Sequence, residues 1–535
     1  MRRPLIPSTT PAYFSPILST PLAPLAANSQ PLAPPTRLLQ IAMHAGPGLI
    51  VAGSIVGSGE LIATTKTGAE AGFTLLWLIM LGCVVKVFTQ VELGRYALQS
   101  GKTTLAAMNE VPGPRIAGRG NWLVWYWMLM WVASISQLGG IVGGVGQSLA
   151  IGVPLSQIGR DYNRVADAAI LETISDFDTI EQGIAKLDVD PALTATALRA
   201  KYESKYQVAP GKLLAPHDVT IWAVVVTLAT SVMLVVGRYG LIQTLSTVLV
   251  ASFTVLTIVN LCLIQQQPSF SVTAAEFLSG LSFSLPGATS GDARPIATAL
   301  ATFGIIGVGA AELVAYPYWC LEKGYARHTG PNDGTPAWRE RAQGWMRVMR
   351  FDAWGSMVVY TFATIAFYLL GASVLHRVGL NPPDRDLIRT LAVMFVPVFS
   401  DWASSVFLFG AFAVLYSTFF IANAGHARTF SDAMRVLGWI ESDEVTREKW
   451  IRRLSGFFPL LCLLVYLAFP KPTKLVLFSG VMQGIMLPML GGAALFLRYY
   501  RCSESLRPSK AWDIALWLSA AAMLVTGGWT VMTAI

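Results

Sequence analysis

Glu60 and Glu312 are the two acids that fall clearly inside long apolar runs of this 535-residue chain. An ionisable group at membrane depth costs about 2.5–3.5 kcal/mol on insertion scales, so each needs a reason to be there. Their surroundings repeat. Residues 56–63 read Val-Gly-Ser-Gly-Glu-Leu-Ile-Ala, and residues 308–315 read Val-Gly-Ala-Ala-Glu-Leu-Val-Ala. Gly57-Ser58-Gly59 tolerates non-helical backbone and can break the helix that carries Glu60. Gly309-Ala310-Ala311, with Gly304 and Gly307 upstream, can loosen the helix that carries Glu312. A broken helix frees carbonyl oxygens. Two carboxylates, the carbonyls of Val56, Gly57, Val308 and Gly309, and the Ser58 hydroxyl would form an oxygen cage suited to a hard divalent cation. The alternative is that each Glu is neutral or paired with a neighbouring cation, for which Lys86 in the second helix is the internal candidate. Glu92 and Arg95, three residues apart near a helix end, suit a local ion pair.

The elements that must hold these residues follow from composition. Hydrophobic residues make up 53% of the chain and charged residues 13%, against roughly 25% charged in a soluble domain. So few charges cannot cover a water-soluble surface, and the lipid bilayer is the expected solvent. Apolar runs near 40–64, 73–98, 122–151, 218–236, 241–264, 296–321, 353–375, 400–422, 455–470, 474–497 and 511–533 predict about eleven membrane helices. Glu60 and Glu312 then stand in the first and sixth, as two five-helix inverted repeats would place them. The net charge of +8 resides in short loops between these runs. It therefore reports membrane orientation, N-terminus cytoplasmic and C-terminus outside, and not a nucleic-acid partner.

Residues 1–38 carry nine prolines and read as a disordered cytoplasmic tail ahead of a transporter domain over 39–535. A polar insert at about 155–217 is expected to form short helices on the outer face. Within it, Asp176, Asp178 and Glu181 lack the glycine of a calcium loop and read as a solvated helix face. Cys83, Cys262, Cys320, Cys462 and Cys502 form no CxxC pair and read as small apolar residues. Gly101-Lys102-Thr103-Thr104 has Tyr96 where a phosphate loop needs its leading glycine, so no nucleotide is expected. The five histidines are scattered, and nothing assembles a catalytic constellation. The chain reads as no enzyme and as needing no cofactor.

Residues 46–101 resemble the start of the Nramp divalent-metal transporters. Gly46-Pro47, Gly68-Ala69, Leu75-Leu76-Trp77, Gln90 and Ser100-Gly101 fall at that family's spacing without gaps. Gly237-Arg238-Tyr239 is similar to its link into the fifth helix, and 475–488 is similar to its tenth helix. The resemblance implies a LeuT-type fold of inverted five-helix repeats with helices 1 and 6 broken, and metal transport. This sequence departs from the family at the site itself. The Asp-Pro-Gly-Asn motif aligns with Gly57-Ser58-Gly59-Glu60, and the Met-Pro-His triplet aligns with Gly309-Ala310-Ala311 or with Tyr316-Pro317-Tyr318. The third-helix acids linked to proton movement align with the neutral Ser134 and Gln137. The tenth-helix Gln aligns with Gly480, with Gln483 nearly one turn on. Loss of the Met thioether removes the ligand that favours soft transition metals.

The resulting expectation is a secondary transporter whose cargo, and only metal partner, is a divalent cation of the Mn/Mg/Fe class. Glu60 and Glu312 would be its main ligands. Tyr316, Tyr318, Gln483 and Lys86 are candidate gate or pocket residues; for the aromatics after Glu312 the rival reading is an interfacial belt. Gly139, Gly140, Gly143, Gly144 and Gly146 read as close helix packing. Two rivals stand beside this reading: a transporter of a small organic cation or amino acid on the same fold, in which aromatics cage an amine, and a non-transporting membrane sensor or scaffold.

Overall fold

The structure is a computed structural model that describes residues 31–116, 119–168, 174, 216–236, 239–286, 294–399 and 402–534. It is helical almost throughout. Among the described residues, ten helices are long and apolar enough to cross a membrane: α1 (Pro47–Ala71), α2 (Leu76–Ser100), α3 (Trp122–Gly152), α4 (Asp218–Val236), α6 (Arg294–Glu322), α7 (Pro336–His376), α8 (Ala403–Val436), α9 (Glu444–Ala468), α10 (Pro472–Arg501) and α11 (Lys510–Ala534). Tyr239–Leu263, 25 residues long, supplies α5. The eleven agree with the apolar runs of the sequence. Because four helices lie between them, α1 and α6 run in opposite directions, and the fold is that of two inverted five-helix repeats.

Chemistry at the ends explains several boundaries. Proline at the first position of α1 and of α7 starts a helix without wasting an N–H. Thr335 caps α7 by accepting from the Trp338 amide, and Asp443 caps α9 by accepting from Thr446. The expected glycine packing is present in α3. A Cβ at Gly140 would stand 2.6 Å from the Pro472 carbonyl oxygen, and one at Gly146 would stand 2.6 Å from that of Val219. These contacts let α3 lie against α4, α8, α9 and α10 at the centre of the bundle. The Glu92–Arg95 ion pair also forms, with Arg95 Nη2 2.9 Å from Glu92 Oε1, and Trp512 of α11 donates to the same carboxylate at 2.6 Å.

The tail and the insert of the sequence reading are each described in part. Residues 31–36, placed in the tail, run extended against the loop before α7. The Leu32 amide donates to the His328 carbonyl, and Trp345 Nε1 donates to the Leu32 carbonyl, both at 3.0 Å. Prolines 31 and 34 fit this path because they need no hydrogen-bond acceptor. Residues 1–30 lie outside the described residues, as do Asp176, Asp178, Glu181, Gly237 and Arg238. Of the insert, a helical stretch at 157–168 is described. It is tied to the segment between α7 and α8 by an Arg389–Asp167 ion pair and by the Tyr162 hydroxyl donating to Asp386 at 2.7 Å. Burial and the Asp386 carboxylate hold that hydroxyl well above the usual tyrosine range, so it remains a donor.

The packing of α6 on α10 generates a test. A Cβ at Gly304 would fall 2.1 Å from the Gly480 carbonyl oxygen, and one at Gly480 would fall 2.4 Å from that of Ala301. Both obstacles are backbone, so neither rotamer change nor a small shift relieves them. Gly304→Ala and Gly480→Ala should each cost about 1–3 kcal/mol of packing and lower the thermal midpoint of the detergent-purified protein. Gly355→Ala, where nothing lies within 4 Å and which sits inside the α7 helix, should leave it unchanged or raise it slightly. A Gly304→Ala protein that melts with the wild type would refute this helix contact.

Candidate functional site

Both motif helices lose α-helical winding, in different ways: α1 at the expected residues, and α6 just upstream of them, since Ala310 and Ala311 are already helical. In α6, α-helix ends at Ile305 and resumes at Ala310. Gly307 has φ +62°, and a Cβ there would meet the Cys83 Cα at 2.9 Å, so glycine is required on both counts. In α1 the chain does not leave the helix. It widens into a π-helix over Val56–Thr64 and then returns to α. Hydroxyls five residues on fold back onto its carbonyls, Thr64 Oγ1 to Gly59 at 3.0 Å and Thr65 Oγ1 to Glu60 at 3.4 Å. The broken first helix of the sequence reading is thus a change of winding, which keeps the backbone bonded where no water is available.

Each candidate ligand can now be placed. Glu60 is fully buried. Its Oε1 accepts from Thr364 of α7 at 3.1 Å, and its Oε2 has no hydrogen-bond partner. Glu312 lies in the first turn of the second half of α6, where the helix dipole favours an anion. Ser54 donates to its Oε1 at 3.5 Å. Its Oε2 folds back so closely that a Cβ at Gly309 would stand 2.5 Å away. Glu60, Glu312 and Lys86 lie within electrostatic range of one another. Lys86 nevertheless pairs with neither acid. Its ammonium donates to the Phe303 and Ile306 carbonyls at 2.5 and 2.6 Å.

The remaining predicted residues divide into those near the two Glu residues and those remote from them. Val56, Gly57 and Ser58 sit inside the π-helix. The Gly57 amide donates to Thr418 Oγ1 of α8 at 3.1 Å, and a Cβ there would strike that hydroxyl at 2.4 Å. Val308 is buried in the turn that interrupts α6, and the Gly309 carbonyl accepts from Leu313. Tyr316 and Tyr318 lie further along α6 and are anchored. The Tyr316 hydroxyl donates to Asp352 of α7 at 3.1 Å, and that of Tyr318 donates to Asp432 of α8 at 2.6 Å. Asp352 also accepts from the Gly46 and Gly48 amides, both at 2.7 Å, and so holds the start of α1 against α7.

A polar chain links the two interruptions. Gln137 of α3 donates from Nε2 to Ser58 Oγ at 2.7 Å. Its Oε1 accepts from Gln483 Nε2 at 2.7 Å and from Ser479 Oγ at 3.0 Å, both on α10. Gln483 Oε1 in turn accepts from the Ala311 amide at 3.0 Å, capping the second half of α6. By sequence Gln137 is only a neutral replacement for an acid; in three dimensions it joins α1, α3, α10 and α6. Ser134, its companion in that reading, merely bonds back to the Met130 carbonyl of its own helix.

Glu312 and Ser54 also line a cavity of about 30 Å³ with Trp127, Trp319, His426 and Thr429. A water needs about 10–15 Å³ measured this way, so the space suits an ion with a water or two. His426 and Thr429 escaped the sequence reading. The available signal was the spacing of Ala422, Gly425, His426 and Thr429, which puts small and polar residues on one face of α8. Among the described residues, no three His, Cys, Asp or Glu side chains gather as a metal-binding group. Any cation held here would therefore rest on two carboxylates and neutral oxygens. A second cavity of about 350 Å³ lies at the other end of α3, lined by Gln147, Tyr162, Asp384, Asp386 and Arg389.

The hub predicts a pair of outcomes. Gln137→Leu leaves Ser58, Ser479 and Gln483 short of partners, and each unsatisfied buried group costs about 1–3 kcal/mol. Its thermal midpoint should fall clearly below that of wild type, whereas Ser134→Ala should match wild type. Equal midpoints for the two variants would dismiss the network.

Comparison with known proteins now has a geometry to attach to. The family model described as natural resistance-associated macrophage protein-like matches residues 208–533. That match starts beyond 46–101, the segment where the sequence resemblance is densest. No curated protein sequence matches the chain. Among solved structures, the manganese transporter of Eremococcus coleocola in complex with an aromatic bis-isothiourea substituted compound superposes with a TM-score of 0.57 at 14% identity, covering 94% of this chain and 88% of that one. A point mutant of the same transporter gives the same TM-score and coverage at 12% identity. At these identities the likeness is one of fold.

Proposed function

The chain belongs to the Nramp-like family, and from that premise we propose that it is a secondary transporter moving a divalent metal cation of the Mn/Mg/Fe class across the membrane. The observation that carries this reading is the pair of glutamates, one at each interruption, with Glu60 fully buried and Glu312 partly so. Glu60 Oε2 is left without a partner and Glu312 borders a cavity of ion size. A divalent ion stripped of most of its water needs compensating negative charge, and two carboxylates supply it. Ser54, which donates to Glu312, and Ser58, two residues before Glu60, are the nearby hydroxyls. The inverted repeats and the two interruptions are the apparatus by which such folds present a site alternately to either side. We place the N-terminus in the cytoplasm and the C-terminus outside, from the distribution of Lys and Arg.

The organic-cation reading fits this geometry less well. Sites for small organic ligands occupy about 300–1,000 Å³, ten times the space beside Glu312. Trp127 and Trp319 do border that space, so the experiment includes amines.

Two outcomes are expected in proteoliposomes. Wild type should take up Mn²⁺, and Glu60→Gln and Glu312→Gln should each abolish that uptake, since one carboxylate cannot offset a dehydrated divalent ion. Wild-type rates in both variants would remove the di-glutamate site, and uptake of amines alone would install the rival. In competition, Mg²⁺ should inhibit Mn²⁺ uptake more strongly than Cd²⁺ does, because every candidate ligand is a hard oxygen. Preferential inhibition by Cd²⁺ would point to an overlooked soft donor.

A further inference from the structure

The first half of α6 ends in a turn, and its last carbonyls lose the amide donors that a continuing helix would supply. Left bare in a membrane interior, such carbonyls are costly. Lys86 meets two of them. Its ammonium lies 2.5 Å from the Phe303 oxygen, 2.6 Å from the Ile306 oxygen and 4.8 Å from the centre of the Phe303 ring, and the residue has no solvent exposure. The end of a half-helix carries the negative pole of its dipole as well as free carbonyls. In transporters with interrupted helices, that combination is where a monovalent coupling cation is coordinated.

The charged and titratable groups around the ammonium come from every neighbouring element. Glu60 faces it from α1, Glu312 from the second half of α6 and Cys83 from its own helix. On α7, Tyr360 donates to the Cys83 carbonyl at 3.3 Å and Thr364 donates to Glu60. Among the described residues no carboxylate approaches Lys86 to ion-pair distance. The ammonium is therefore held mainly by backbone oxygens, as a free alkali ion would be, and its flexible stem anchors it to α2.

We infer that Lys86 is a tethered cation filling a monovalent-cation site made by the Phe303 and Ile306 carbonyls at the α6 interruption, so that this protein takes no free Na⁺ or K⁺ there. The inference concerns the companion cation and not the cargo, so it is tested without any divalent metal.

Lys86→Ser removes the ammonium and leaves space before the two carbonyls; Lys86→Met fills that space without charge. Thermal unfolding of the purified full chain is followed in NaCl, KCl and choline chloride at equal ionic strength. Wild type should melt at one temperature in all three. Lys86→Ser should melt lower in choline and regain about 3 °C or more in NaCl or KCl, through binding of the small ion to the native state. Lys86→Met should melt low in every salt. Should Lys86→Ser yield no folded protein in choline, its recovery by purification in NaCl supports the inference, and failure in all three salts overturns it. A Lys86→Ser midpoint indifferent to the cation, or a wild type stabilised by Na⁺ as much as the variant, also overturns it. Loss of Mn²⁺ uptake in the glutamate variants bears only on the cargo.

Discussion

A membrane interior offers no water to an unpaired amide or carbonyl, and this constraint governs every feature around the two glutamates. An uninterrupted helix meets it internally. An interruption opens donors on one side and acceptors on the other, and each must find a partner within the protein. In α6 the two debts are met from different helices. Lys86 of α2 takes the carbonyls of Phe303 and Ile306, and Gln483 of α10 takes the Ala311 amide. In α1 the problem is reduced by π winding, with threonine hydroxyls and Thr418 supplying the supplementary bonds. A glutamate beside each interruption is then tolerable because the surrounding polar groups are already gathered there.

This accounting also explains why neutral residues occupy positions at which the family resemblance implies acids. Gln137 donates to Ser58 with one end of its amide and accepts from α10 with the other. A carboxylate could only accept, so Ser58 would have to turn its own O–H toward it and a charge would be buried there. An amide, able to do both, can bridge two interruptions that present a hydroxyl on one side and an amide donor on the other. The position thus changes its chemistry from charge to connection.

How much of this was legible in the sequence depends on the range of each interaction. The eleven helices were readable because apolar length is a local property, and the two special helices because Glu60 and Glu312 share an eight-residue context. The manner of interruption was not readable. Gly57-Ser58-Gly59 permits an extended break as readily as a π turn, and what selects the latter includes Thr418, more than 350 positions along the chain. The anchoring of Tyr316 and Tyr318 was hidden for the same reason, since Asp352 and Asp432 sit on other helices. Lys86 was singled out correctly as an intramembrane cation, but charge alone suggested a carboxylate partner. Backbone carbonyls do not appear in a sequence as ligands, and only the geometry of the α6 turn exposes them.

The two ends of α3 carry unlike openings. Beside Glu312 the space is about 30 Å³ and walled by Trp127 and Trp319. At the other end about 350 Å³ is bordered by Asp384, Asp386, Arg389 and Tyr162. The larger space is roofed in part by the 157–168 helix, which the Arg389–Asp167 pair and the Tyr162–Asp386 bond fasten to the α7–α8 segment. Asp167 is nearly half exposed while Arg389 is buried, so the pair places one charge in solvent and the other at the cavity wall. An exposed partner makes the fastening cheap to release, because its carboxylate can be rehydrated while Asp386 remains beside the arginine at 3.5 Å.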